Sequence, residues 1–301
     1  MAKQKTQNHQ PVFTANPLAK PLNWLSYIFP NQVAQYLDTL WSTPIKMGKG
    51  LYANKLKSGA THKIETGVTP IYGYGNSDKH IVLMHGWNAR GGQLRKFIEP
   101  LVKQGFCVWW FDAPGFGVYP AKKSSAYRFA QTLIDVQQQI SQQTGQPIYG
   151  SIAHSLGCLA TILASDPNLF KTPYQCSKMA WVAPSLSPNT MFDSYCDHMQ
   201  VRDGIKKRLY DLVGQDMQEI LHENPWTFFE KDTLFDHMPD QHLLMFDHND
   251  EEVLQADFEN IEQRLKPITI IKTDHLGHYH MLKDPSILEQ ISTFMSSSKD
   301  L

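Results

Sequence analysis

Ser155 stands in the run Ile152-Ala153-His154-Ser155-Leu156-Gly157-Cys158-Leu159-Ala160. A short apolar stretch leads into it, and a small-residue stretch suited to a helix follows. A serine on a sharp strand-to-helix turn holds its hydroxyl clear of the backbone, where a base can activate it for attack on a carbonyl. Such a turn requires small residues two positions before and two positions after the serine. Gly157 meets this, and Ala153 stands where glycine is usual, one methyl group larger. The following helix would aim its positive end at an oxyanion forming on the substrate. Small-x-Ser-x-Gly also arises by chance with the serine as an ordinary helix N-cap, so the reading depends on partners elsewhere in the chain.

Three runs offer those partners. His85-Gly86-Trp87 closes an apolar stretch. There the backbone N–H of Trp87 would join that of Leu156 as an oxyanion hole, and Gly86 would let the chain pass close to the substrate. The competing reading is a turn that merely ends a strand. The run Leu243-Leu244-Met245-Phe246 is followed by Asp247, Asp250, Glu251 and Glu252. Any of these could orient a histidine through its Nδ1–H. Asp250 is preferred, because Val253 behind it can anchor the loop in a core. Asp247 stays open, as the acid itself or as its support. The run from Thr273 to Leu282 holds His275, His278 and His280. His278 is preferred as the base, because Gly277 before it gives the ring room to move. A His-x-His pair also occurs in metal sites, but no matching Cys, His or carboxylate spacing stands nearby. His154 reads as a hydrogen-bonded structural residue. The order serine, acid, histidine separates this pattern from the two main serine-protease folds.

These residues need rigid elements to hold them, and the chain supplies a regular alternation. Residues 62–76 read as a hairpin-like strand pair, and 80–86 as a buried strand. An amphipathic helix over 89–105 closes at Gly105. A strand over 105–115, a helix over 124–146 ended by glycine, a strand over 147–153 and a helix over 156–165 follow. Residues 177–185 form the next strand. The strands are too uniformly apolar to have a wet face, which predicts an α/β fold with a mostly parallel, doubly wound sheet covered on both sides. The alternation pauses over 186–240, which reads as a helical cap inserted between strands. There Met191, Phe192, Tyr195, Met199, Leu209, Trp226, Phe228 and Phe229 either line an apolar pocket or hold the cap together. Strands over Leu243–Phe246 and Ile268–Thr273 and a final helix, with Asp284 as N-cap and Pro285 at N1, complete the pattern.

The organisation expected is a loose tail over 1–20, an N-terminal helical segment over 21–60, a core over 61–185 and 241–301, and the cap. In the N-terminal segment Trp24, Leu25, Ile28, Val33, Tyr36, Leu37, Leu40 and Trp41 recur at helical spacing, and Pro30 divides it into two helices. These helices either pack on the main domain or form a dimer or peripheral membrane contact. Their own polar face lacks the Lys/Arg enrichment of an interfacial helix.

Bulk composition narrows the classes. The 301 residues are 42% hydrophobic and 19% charged, a globular balance, and fit one α/β domain with an insertion. A formal net charge of -1 and the absence of dense basic runs argue against nucleic-acid binding. Cys107, Cys158, Cys176 and Cys196 are scattered and form no C-x-x-C pair, so buried free thiols are expected rather than disulfides. With no apolar leader run and no stretch long enough to span a bilayer, the expected location is the cytoplasm.

On HGWNARGGQ (85–93), DAP (112–114), HSLG (154–157), DHNDEEV (247–253) and LGHYHMLKD (276–284), the sequence resembles the α/β-hydrolase superfamily, and within it a little-studied bacterial group that carries these motifs. The resemblance covers about residues 60–298. It departs after DAP, where Gly115-Phe116-Gly117-Val118-Tyr119 replaces the usual G-H-G-x-S. The resemblance implies acyl transfer from an ester or thioester to water, with Ser155 as nucleophile, His278 as base, Asp250 as orienting acid and the Trp87 and Leu156 N–H groups as oxyanion donors. It implies no cofactor or metal, and a small-molecule ester of apolar character as substrate. An acyltransferase on the same scaffold and a non-catalytic ligand-binding protein of this fold remain the alternatives.

Overall fold

The computed structural model describes residues 16–45, 51–265 and 269–297. Residues 1–15 of the expected tail lie outside the described residues. Eight strands form one sheet: β1 (His62–Ile64), β2 (Ile71–Tyr74), β3 (His80–Met84), β4 (Cys107–Trp110), β5 (Ile148–His154), β6 (Lys178–Val182), β7 (Gln241–Asp247) and β8 (Thr269–Thr273). Their order is β1-β2-β4-β3-β5-β6-β7-β8. β2 runs antiparallel to β1 and β4, and every pairing from β4 to β8 is parallel. The helices are α1 (Ala19–Leu25), α2 (Pro30–Ser42), α3 (Leu51–Ser58), α4 (Ile98–Lys103), α5 (Ala126–Thr144), α6 (Leu156–Ser165), α7 (Pro188–His198), α8 (Asp203–Leu221), α9 (Pro225–Phe228), α10 (Gln255–Arg264), α11 (Gly277–His280) and α12 (Pro285–Ser296).

The two-residue period of a strand divides the sheet's side chains between two cores. Ile81, Leu83, Val108, Trp110, Ile152, Val182 and Met245 face α4 and α12, packing against Phe97, Ile98, Leu101, Ile287, Ile291 and Met295. Val82, Met84, Trp109, Ala153, Trp181, Leu244 and Phe246 face the other way, towards Phe129 and Leu133 of α5, Leu159 and Leu163 of α6 and Phe258 of α10. Every residue of α6 is buried, which explains its lack of any polar face. β8 is one of the two edge strands, and its residues are exposed or half-buried rather than core. Short α4 is preceded by a 3-10 stretch, Gly91–Phe97, where a single longer helix was expected. Gly91 explains the tight start, since a Cβ there would meet the Phe111 carbonyl oxygen at 2.3 Å.

Between β6 and β7 the chain builds α7, α8 and α9. Their apolar faces meet α2: Val33, Ala34 and Leu37 share a cluster with Phe192, Cys196, Met199, Ile205, Leu209, Val213 and Trp226. The Tyr195 hydroxyl donates to the Leu37 carbonyl at 2.8 Å, and Arg202 donates to the Ser26 hydroxyl and carbonyl, each at 2.6 Å. The N-terminal helices therefore pack on the helical insertion. Of the eight candidate pocket residues, Phe192, Met199, Leu209 and Trp226 form this cluster with Tyr195 against it, while Phe228 and Phe229 are buried in the main core with Met191 against them. All four cysteines are free thiols. Among the described residues, no helix is long and apolar enough to cross a membrane.

Candidate active site

Ser155 follows the last residue of β5 and precedes α6, with φ 53° and ψ −126°. A non-glycine residue in that region is strained by about 1–3 kcal/mol and persists only where the surroundings enforce it. Three contacts enforce it here. The Ser155 N–H donates to the Val182 carbonyl at 3.1 Å. Gly157 has no room for a side chain, since a Cβ would lie 2.6 Å from the His85 carbonyl oxygen. Gly86 lies against the serine itself, and a Cβ there would be 2.8 Å from Ser155 Cβ. Ala153 is fully buried among core side chains.

The contact at Gly86 brings the 85–88 loop to the serine. Trp87 is half-buried over Phe116, ring centroids 5.2 Å apart, and Leu156 opens α6 on the other side of the turn. Neither the Trp87 nor the Leu156 backbone N–H is taken by a backbone acceptor among the described residues. The loop is held from beneath. The Ala113 N–H donates to His85 Nε2 at 2.9 Å, so the proton of that ring sits on Nδ1, which donates to the Gly86 carbonyl at 2.8 Å. Burial pushes the His85 pKa down and so keeps that neutral tautomer.

His278 lies on α11. Its Nδ1 stands 2.8 Å from Asp250 Oδ2, with the two side chains 4% and 0% exposed. The other oxygen of Asp250 accepts from the Glu252 and Val253 N–H groups at 2.8 and 2.9 Å. Val253 is buried in the core and anchors this loop. Asp247 does not meet the histidine. Its Oδ1 accepts from the Asn249 N–H at 2.9 Å, and its Oδ2 accepts from the Thr273 hydroxyl at 2.5 Å and the Leu276 N–H at 2.8 Å. Burial alone would raise the Asp247 pKa, but these hydrogen bonds outweigh it and hold the carboxyl below its ordinary value. Asp247 thus ties the acid loop to the histidine loop. Glu251, His275 and His280 are exposed, and Glu252 accepts from the Tyr279 hydroxyl at 2.9 Å.

His154 joins the elbow to the histidine loop. Its Nε2–H donates to the His278 carbonyl at 3.0 Å, and the two rings lie 4.7 Å apart. Burial, then the neighbouring His278, push its pKa down to about 3, so it stays neutral. The Ser155 hydroxyl itself has no hydrogen-bond partner among the described residues. Free enzymes often hold this contact open until substrate arrives. No group of three or more His, Cys, Asp or Glu side chains among the described residues is arranged to hold a metal.

Comparison with known proteins agrees with this architecture. A family model for the alpha/beta hydrolase fold matches residues 79–200. An esterase from Pyrococcus furiosus superposes with a TM-score of 0.61 at 15% identity, over 84% of this chain and 96% of its own. The chain has the α/β-hydrolase fold. A monoacylglycerol lipase from Paleococcus ferrophilus (TM-score 0.52, 20% identity, 75% of this chain and 97% of its own) is also similar. So is a serine hydrolase from the polyaromatic-hydrocarbon-degrading bacterium Cycloclasticus zankles (TM-score 0.56, 14% identity, 80% and 99%). No curated protein sequence matches significantly.

Within this α/β-hydrolase scaffold two supports were not assigned a role from sequence. Asp112 of the DAP run is buried, and accepts from the Gly91 N–H at 3.0 Å and the Val118 N–H at 3.1 Å. It staples the loop after β3 to the loop after β4. Gly117, at φ +53°, wraps so closely that a Cβ would lie 2.0 Å from Asp112 Oδ2. Phe116, where the related pattern has histidine, packs edge-on against His85 and Trp87. A buried aspartate before two glycines in one loop was the available signal. The 42–45 segment after α2 reaches the same loops. The Ser124 N–H donates to the Ser42 carbonyl at 2.8 Å, and the Ile45 N–H donates to Asn88 Oδ1 at 3.2 Å. A cavity of about 820 Å³ lined by Tyr119, Lys122, Arg128, Asp135 and Phe170 contains none of Ser155, Asp250 and His278.

Proposed function

We propose that the protein is a serine hydrolase that cleaves a carboxylic ester of a small to medium apolar substrate through an acyl-enzyme. The observation that carries this reading is Ser155 held at φ 53° against Gly86, with a buried His278–Asp250 pair on the loops that follow β8 and β7. Esterase and lipase are the names of the similar solved structures, which supports the same class.

In this mechanism Ser155 Oγ attacks the ester carbonyl carbon while His278 Nε2 takes its proton. Asp250 keeps the other proton on Nδ1 and stabilises the imidazolium. The Trp87 and Leu156 N–H groups receive the oxyanion. The intermediate collapses, the imidazolium gives its proton to the departing alcohol oxygen, and an acyl-Ser155 ester remains. Water, deprotonated by His278, then attacks that ester and releases the acid and free Ser155. Residues 61–185 and 241–301 act as the catalytic core, and 186–240 as its cap. The half-buried apolar side chain of Trp87 beside the serine favours an apolar acyl or alcohol portion.

The test is labelling by a fluorophosphonate probe, with a panel of esters of rising chain length. Wild type should label and hydrolyse esters, and Ser155→Ala should do neither while unfolding at the same temperature. Labelling that persists in Ser155→Ala, or no labelling and no turnover by folded wild type, would overturn the reading.

A further inference from the structure

The turn between α1 and α2 exposes a run of large apolar side chains. Trp24 is 66% exposed, Tyr27 74%, Ile28 56% and Phe29 49%. Ser26, in the middle of the run, is fully buried and held by Arg202, so the turn is rigid and its aromatic and aliphatic side chains point outward. Trp and Tyr beside aliphatic residues suit the boundary between water and acyl chains, where an apolar body and a polar tip are both satisfied.

The local sequence carries little positive charge, but the fold brings it from far along the chain. The start of α8 lies beside the turn: the Arg202 guanidinium stacks on the Tyr27 ring at 4.4 Å, and Arg208 donates to Asn31 Oδ1 at 3.1 Å. Lys207 is exposed between them, and Lys20 is exposed on α1. The acids nearby are Asp203, exposed beside Arg202, Asp193, already paired with Lys206 at 2.8 Å, Asp197, which also acts on Lys206, and Asp211, exposed one helical turn beyond Lys207 and Arg208, so the basic side chains outnumber the acids only narrowly. An apolar tip with a net basic collar matches a surface that is apolar inside and negative at its headgroups.

We propose that the Trp24–Phe29 turn docks the protein on an anionic lipid surface, with Lys20, Arg202, Lys207 and Arg208 contacting the headgroups. The other end of α2, about 20 Å away along a 13-residue helix, meets the loops beside Ser155 through Ser42 and Ile45. A lipid-borne ester would therefore be drawn from a surface fixed to those loops by one helix. Docking itself stands independently of the proposed catalysis.

The test is co-sedimentation of the full chain with vesicles of phosphatidylcholine alone and of phosphatidylcholine with about one third phosphatidylglycerol. Wild type and Ser155→Ala should pellet equally with the anionic vesicles, and less with neutral ones or at high salt. Ile28→Ser/Phe29→Ser should weaken binding by about tenfold or more on anionic vesicles. Lys207→Glu/Arg208→Glu should remove the preference for phosphatidylglycerol. All four side chains are exposed, so thermal unfolding should match wild type. No pelleting with anionic vesicles, binding unchanged in both double variants, or a vesicle-free dimer that Ile28→Ser/Phe29→Ser dissolves would each overturn the proposal.

Discussion

Asp247 and Asp250 share one loop after β7, yet the fold gives them different work. One oxygen of Asp250 is fixed by two N–H groups, and the other is left to His278 at 2.8 Å. Both oxygens of Asp247 are spent on Asn249, Thr273 and Leu276. Asp250→Asn keeps the shape but favours the wrong imidazole tautomer, so ester turnover should fall by about 10³–10⁴-fold with little change in unfolding temperature. Asp247→Ala should do the reverse. It strands two part-buried N–H groups and a hydroxyl, lowering stability by about 1–3 kcal/mol in denaturant unfolding while leaving turnover of the remaining folded enzyme within about tenfold. Equal losses of turnover in the two variants, at equal stability, would contradict this division. Sequence order alone left both carboxylates open, because the choice depends on which backbone N–H groups face each one.

At the scale of elements, the sharp turn after β5 works only because two glycines from different segments clear space around it. Gly86→Ala would place a methyl 2.8 Å from Ser155 Cβ and 3.1 Å from the His154 carbonyl oxygen. The loop must move away, and it carries the Trp87 N–H with it. Probe labelling of Ser155 should slow by about 10²-fold or more, since a shift near 1 Å at a reacting centre costs that much. A labelling rate within a factor of about three of wild type would show that the 85–88 loop does not shape the site. Much of this scaffold was legible in the sequence. Strands β3 to β7 are near-continuous apolar runs, and the turn at Ser155 sits where one of them meets a small-residue helix. Other elements were silent for physical reasons. α10 buries only Phe258 and Ile261, too narrow a stripe to stand out among polar residues. The union of α2 with α7, α8 and α9 joins segments more than 150 residues apart, as in the Tyr195–Leu37 hydrogen bond, and no local period encodes it.

Over the whole molecule, a parallel sheet buried on both faces leaves its histidines in a medium that disfavours charge. His80 and His242 lie near the starts of β3 and β7, and His85 and His154 near the ends of β3 and β5. Burial holds the pKa of His154 down to about 3 and that of His242 down to about 4, and lowers His80 and His85 as well. The unfolded chain protonates its histidines below their ordinary value of about 6.5, whereas in the folded chain His154 and His242 stay neutral until pH falls much further. Stability contributed this way is complete above about pH 6.5 and is lost as pH falls from there towards about 4. One unit below 6.5, His154 and His242 should each remove about 1.4 kcal/mol. Asp247 acts in the same direction but only in the carboxylate range, because its pKa is lowered from 3.8. Urea unfolding from about pH 7.5 to about pH 5 should therefore show stability flat at first and then falling steeply, before carboxylates contribute. His242 is the residue to remove, because its Nε2 has no hydrogen-bond partner among the described residues and it lies far from Ser155, at the opposite end of the sheet on β7, with β6 between it and β5. His242→Phe should flatten the acid limb by about one histidine's share without changing ester turnover. An acid limb of unchanged slope would mean that His242 charges inside the fold, and that the start of β7 is wetter than its burial implies.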